Sequence, residues 1–245
     1  MRLWAGFAAL VLAEIGYPLT GGRARAALVV ATVVLGFLLS VTHAATTRGP
    51  RAAGLLVLIT TGGGFAVEAV GRATGYPFGA YDYTGALGPR LLGVPLVIPL
   101  AWTWMAWPAW VAATRLTERP AARVAVAGAG LAAWDLFLDP QMVSQRYWLW
   151  RTETPALPGV GGIPLTNYLG WLAVALALMA LLRRALGDEP ARPGADAPMY
   201  AMYLWTYTSS ILAHAIFLDL PASAVWGAAG MGLVAIPLAV RLWRR

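Results

Sequence analysis

The chain has 245 residues, of which 59% are apolar and only 12% charged. Soluble domains carry about 25% charged residues, so this composition excludes an ordinary soluble enzyme, a disordered chain and a nucleic-acid module, and the mean hydropathy of +0.64 points to a membrane. The net charge of +7 comes from eighteen arginines that lie mostly singly or in pairs between apolar runs, which is how a multi-span protein marks its loops. A membrane-crossing helix takes about 20 mostly apolar residues. Eight stretches qualify in chain order: 3–19, 25–45, 52–74, 91–114, 121–138, 164–184, 199–219 and 223–243. The expected fold is an all-α polytopic membrane helix bundle of about eight transmembrane helices, forming one domain over residues 1–245.

The first stretch opens like a signal peptide, with Arg2 ahead of an apolar run. Glu14 interrupts that run and no small-residue cleavage site follows, so it is read as a span. The seventh carries Thr206-Tyr207-Thr208-Ser209-Ser210, a polar run that must face other helices or a cavity. The segment 187–198, rich in Pro, Asp and Glu, is expected to be a cytoplasmic hinge loop. With eight spans, one side of the membrane holds twelve arginines and the other six. The richer side should be cytoplasmic, with both termini.

A repeat runs through the middle. Gly93-Val-Pro-Leu-Val-Ile-Pro-Leu-Ala-Trp102 aligns with Gly162-Ile-Pro-Leu-Thr-Asn-Tyr-Leu-Gly-Trp171, with Gly, Pro, both Leu and Trp coincident. Each copy opens an even-numbered span, and each follows an odd-numbered span that carries an acid, Glu68 or Asp135. The expectation is a parallel repeat of two hairpins about an axis along the membrane normal, with Glu68 and Asp135 approaching one cavity. Glu14 and Asp219 also sit near the ends of odd spans, each with a proline soon after. The embedded acidity therefore gathers towards the face opposite the termini.

The sharpest constellation is Ala133-Trp-Asp-Leu-Phe-Leu-Asp-Pro140. Asp135 and Asp139 stand four apart and share one helical face. Asp139 precedes a proline and is expected to leave the helix. Protonating an alkene needs a neutral carboxylic acid in an apolar pocket. Asp135 has that setting, one turn deeper, beside Trp134 and above a helix C-terminus. It is the expected proton donor, with Asp139 tuning it or holding water; the reverse assignment stays open, as does a purely capping role. A second constellation is Gly62-Gly-Gly-Phe-Ala-Val-Glu68, with Arg72 as a candidate partner for Glu68 at i+4. The turn from Tyr76 to Tyr83 is either an interfacial belt or a pocket lid carrying Tyr81 and Tyr83.

Twelve tryptophans form the third feature. Most are expected in interfacial belts or against lipid. A minority, among them Trp102, Trp134, Trp148 and Trp171, are candidates to line a site, where an indole face stabilises a carbocation by about 2 kcal/mol when desolvated. Asn167 is an embedded amide that would orient water or bond a neighbouring helix, and His214 would relay protons or make a structural hydrogen bond. Cysteine is absent, histidine occurs only at His43 and His214, and the chain shows no dinucleotide fingerprint or phosphate loop. No cofactor or metal is expected.

The run GGGFAVEAVGRATGYPFGAYDYT, then LGVPLVIPLAW, WDLFLDPQMV, and WLW followed by GGIPLTNYLGW, resembles the integral-membrane carotenoid biosynthesis proteins, which include the carotenoid 1,2-hydratases and the bisanhydrobacterioruberin hydratases. The resemblance covers residues 62–171 in four ordered blocks. It implies addition of water across the terminal double bond of an acyclic carotenoid, in a bacterial or archaeal cell membrane, without a cofactor. It also implies a carotenoid substrate, lipid surroundings and other carotenoid biosynthesis enzymes as partners. Val160-Gly161 ahead of the second Gly-Ile-Pro turn depart from the family pattern, which leaves the exact substrate open. A carotenoid cyclase or isomerase using the same acid, and a proton-coupled transporter, are the alternatives.

Overall fold

Proline fixes where many of the helices start. It occupies the first or second position of five of them, where its missing N–H costs nothing. The computed structural model describes residues 2–187 and 190–244. Its helices are α1 (Arg2–Gly16), α2 (Gly22–Arg48), α3 (Pro50–Thr74), α4 (Ile98–Leu116), α5 (Pro120–Ser144), α6 (Leu165–Leu186), α7 (Pro193–Leu212) and α8 (Pro221–Trp243). A π turn at Val57–Gly62 interrupts α3, and another at Ala213–Phe217 extends α7.

Five of these helices, α2, α3, α5, α6 and α8, are long and apolar enough to cross a membrane, and α1 is a shorter apolar helix. Helix α4 is different because it meets little lipid. Every residue from Ala101 to Thr114 is buried, and α2, α3, α5, α7 and α8 pack around it. A helix enclosed in this way can be rich in tryptophan and threonine instead of leucine. The chain is thus a polytopic membrane helix bundle wrapped around one central helix.

The repeat shows itself as contact between equivalent parts. The segments that follow α3 and α5 form strands β1 (Tyr81–Tyr83) and β4 (Trp148–Trp150), which pair antiparallel with Tyr81 opposite Trp150 and Tyr83 opposite Trp148. Between them lies a small hairpin, β2 (Arg90–Leu91) and β3 (Val94–Pro95). It occupies the first residues of the stretch 91–114, so α4 starts later than the apolar run. Gly93 and Gly162 both take left-handed backbone, φ +82° and +81°, at the same point of each repeat. Trp102 and Trp171, the last residues of the aligned segments, stack face to face at 4.0 Å with planes 9° apart. Equivalent side chains that touch require an axis passing between the two hairpins.

Several expectations are corrected. Asp139 does not leave the helix: α5 runs through Pro140 to Ser144. Pro140 cannot donate to the Leu136 carbonyl, and the Ser223 hydroxyl from α8 donates to it instead at 2.7 Å. The hinge loop expected over 187–198 is shorter, because α7 begins at Pro193. There Asp196 accepts from the Arg192 N–H at 2.7 Å and pairs with Arg48 at 2.9 Å, which holds the helix start closed. Residues 188 and 189 of that loop lie outside the described residues. Eight of the twelve tryptophans are buried, against the expectation of belts. Indole N–H groups find acceptors inside: Trp107 on His43 Nδ1 at 2.9 Å and Trp150 on the Phe78 carbonyl at 2.8 Å.

Candidate functional site

Helices α3 and α5 each bring a carboxyl to the end of the bundle that the paired strands cover. Glu68 lies in the last turns of α3 and is buried. Its Oε2 accepts the hydroxyls of Tyr81 at 2.6 Å and Tyr83 at 2.8 Å, and its Oε1 accepts Trp102 Nε1 at 3.1 Å. The alternation of β1 places both tyrosines on its inner face. Burial first, and then Glu68 beside them, push both hydroxyls well above the ordinary tyrosine range, so they stay protonated donors. The expected Glu68–Arg72 pair does not form: Arg72 is exposed and packs under Gly93. Gly64 lets the Trp102 indole reach Glu68, since a side chain there would collide with it.

On α5, Asp135 and Asp139 are both buried and both accept from one group, Asn167 Nδ2 of α6. The bond to Asp135 is 2.8 Å. Asp139 Oδ1 also accepts Trp148 Nε1 from β4 at 3.0 Å. Glu68 has three side-chain donors of its own, whereas the two aspartates divide one amide and one indole. Two carboxyls held together by a single amide repel one another if both are ionised, so the arrangement favours one proton shared by the pair.

These groups surround one cavity. Glu68, Asp139, Asn167, Tyr81, Tyr83, Trp102, Trp148 and Trp171 line its polar and aromatic walls, and Val29, Val33, Ile98 and Leu138 its aliphatic wall. Asp135 does not line it; it lies one turn below Asp139, on the far side of the Asn167 amide. Trp134 stands behind the site, edge-on to Trp171 at 6.4 Å, and lines a neighbouring cavity. His214 is outside: its Nδ1 bonds Ser223 at 2.8 Å and its Nε2 bonds Gln141 at 3.2 Å, so it supports the repaired turn around Pro140. The lid alternative holds for Tyr81 and Tyr83, while Tyr76 is exposed. Phe78 and the α2 valines are wall residues that the sequence reading did not single out, and Trp150 lines the wall with them. The Trp-Leu-Trp alternation at 148–150, which turns both indoles inward, was the available signal. Among the described residues, no three His, Cys, Asp or Glu side chains gather as a metal would require.

Chemically, the cavity offers an acid pair, a separate carboxyl held by three hydrogen-bond donors, and π faces around an apolar interior. The family described as "Carotenoid biosynthesis protein" matches residues 27–244. A bisanhydrobacterioruberin hydratase of Haloarcula japonica is 34% identical over 154 residues, covering 57% of this chain and 51% of the relative. The chain thus spans about half the length of that curated relative. No solved structure matches.

Proposed function

The chain belongs to the carotenoid biosynthesis protein family, and from that membership and the site geometry we propose that it is a hydratase acting on the end group of an acyclic carotenoid. The acid pair donates its proton, through Asp139, to the inner, hydrogen-bearing carbon of the terminal trisubstituted double bond. A tertiary cation results, beside the Trp102–Trp171 stack and Trp148. Water adds to the cationic carbon and gives up a proton towards Glu68, whose orientation three donors fix. That proton returns to the acid pair through water, so the net change is one water added and no electron transferred. Asp135 holds the shared proton and acts through Asp139. The similarity to a bisanhydrobacterioruberin hydratase supports this substrate class.

The observation that carries the reading is the unequal dress of the carboxyls in one aromatic cavity: three donors on Glu68, one shared amide on the aspartates. A proton donor and a proton acceptor are the two groups that hydration needs. The arginine asymmetry supports a cytoplasmic position for both termini, with the site near the opposite interface, where water is at hand and the polyene lies in lipid. Expression in lycopene-producing cells followed by pigment mass spectrometry tests the function. Hydration adds one water per modified end. An isomer of unchanged mass would favour a cyclase or isomerase, and untouched pigment with acid-driven solute uptake a transporter.

A further inference from the structure

The polar run on α7 that the acid site does not use faces a second cavity. Thr206, Ser209 and Ser210 line it from α7, Glu14 and Tyr17 from the end of α1, and Gln141 from α5. Val29, Val33, Leu138 and Met142 are walls of this cavity and of the acid cavity alike, so the two voids adjoin. The second is the roomier for water, about 100 Å³ against about 40 Å³. A water needs about 10–15 Å³ measured in this way, so the chamber holds several and the acid cavity few.

Two polar groups in its wall point to what fills it. Thr206 Oγ1 and Trp104 Nε1 are buried and have no hydrogen-bond partner among the described residues. Left dry, each would be a buried donor without a partner, which destabilises the fold. A polyene in the chamber would leave both unsatisfied, whereas water satisfies both and bridges to Ser209, Ser210 and Gln141. The Gln141 carboxamide is held by His214, itself anchored on Ser223. Its position two residues beyond Asp139 ties the chamber wall to the acid-bearing turn.

We propose that this chamber is a dedicated water site that supplies the nucleophile, across the Val29–Met142 wall, to the cation formed at Asp139. The proposal rests on the hydratase reading. It separates two events that a single pocket would merge: protonation in the aromatic cavity and water delivery from the chamber. If water is withheld, the cation has another exit, loss of a proton from the carbon just protonated. In D2O that return leaves deuterium on the alkene carbon of recovered substrate.

The test uses membranes of the full chain in D2O with an acyclic carotenoid, comparing wild type, Thr206→Val, Thr206→Val combined with Ser210→Ala, and Thr206→Ser. In the double variant, hydrated product should fall by about tenfold, the loss expected when a hydrogen bond to the adding water is removed. Deuterium in recovered substrate should persist or rise. Thr206→Ser, which keeps the hydroxyl, should recover hydration relative to Thr206→Val, a rescue that a packing defect would not show. Unchanged hydration in the double variant would overturn the proposal. Hydration and exchange falling together would put the polyene in the chamber and overturn it equally. Wild-type membranes that form no hydrated product would remove the hydratase reading itself.

Discussion

The α3–α4 hairpin contributes one carboxyl to the cavity, and three side-chain donors converge on it. The α5–α6 hairpin contributes its carboxyls from the equivalent place but as a pair, with Asn167 standing where the first repeat has Ile98. The scaffold is the same in both: a left-handed glycine, a proline, and a tryptophan that meets its counterpart across the axis. Repeating a hairpin builds two walls of a cavity cheaply. Changing which polar groups face each carboxyl then gives the walls different work in the proposed mechanism, one to give a proton and the other to receive one.

The comparison breaks most directly at Asp139. Asp139→Asn keeps the size and the contact with Trp148 but removes the transferable proton, and hydrated product should fall by about 10²–10⁴-fold, the usual weight of general acid catalysis. Immunoblotting of membranes should show normal protein. Glu68→Gln comes next. It turns an amide N–H donor towards groups that are themselves donors, so turnover should drop by about 10²-fold and the thermal midpoint should fall as well. A Glu68→Gln protein with wild-type turnover would leave the first hairpin without a chemical role. Tyr83→Phe removes one of three donors and should cost about tenfold, from one buried hydrogen bond to a charged group worth about 1.5 kcal/mol. Last, Ser223→Ala strips the Leu136 carbonyl of its donor at Pro140. Stability in a detergent-melting assay should decrease by about 1–3 kcal/mol, while the ratio of hydrated to unhydrated pigment stays near wild type.

The helices were legible because each is an apolar run ended by Arg, Gly or Pro, and the gathering of acids at one end followed from their places in those runs. The hairpin repeat was legible from Gly93–Trp102 and Gly162–Trp171 alone. The wiring of the site was not. Glu68 finds its tyrosines 13 and 15 residues away on a short strand, not Arg72 one turn along its own helix. Asp139 stays helical only because Ser223, from α8, supplies the donor that Pro140 lacks. Which aspartate faces the cavity depends on where α6 lays the Asn167 amide, a tertiary fact with no local pattern. The burial of most tryptophans has the same origin: belts and cores share a composition, and only the enclosure of α4 separates them.

The central claim is that a carboxyl of this cavity protonates a carbon–carbon double bond. Membranes carrying the wild-type chain, supplied with an acyclic carotenoid in D2O, should yield a tertiary alcohol with one deuterium on the carbon next to the carbinol, and that product should be absent with Asp139→Asn at matched protein levels. An alcohol with no carbon-bound deuterium at that position, or full deuterated product from the Asp139→Asn protein, would contradict it.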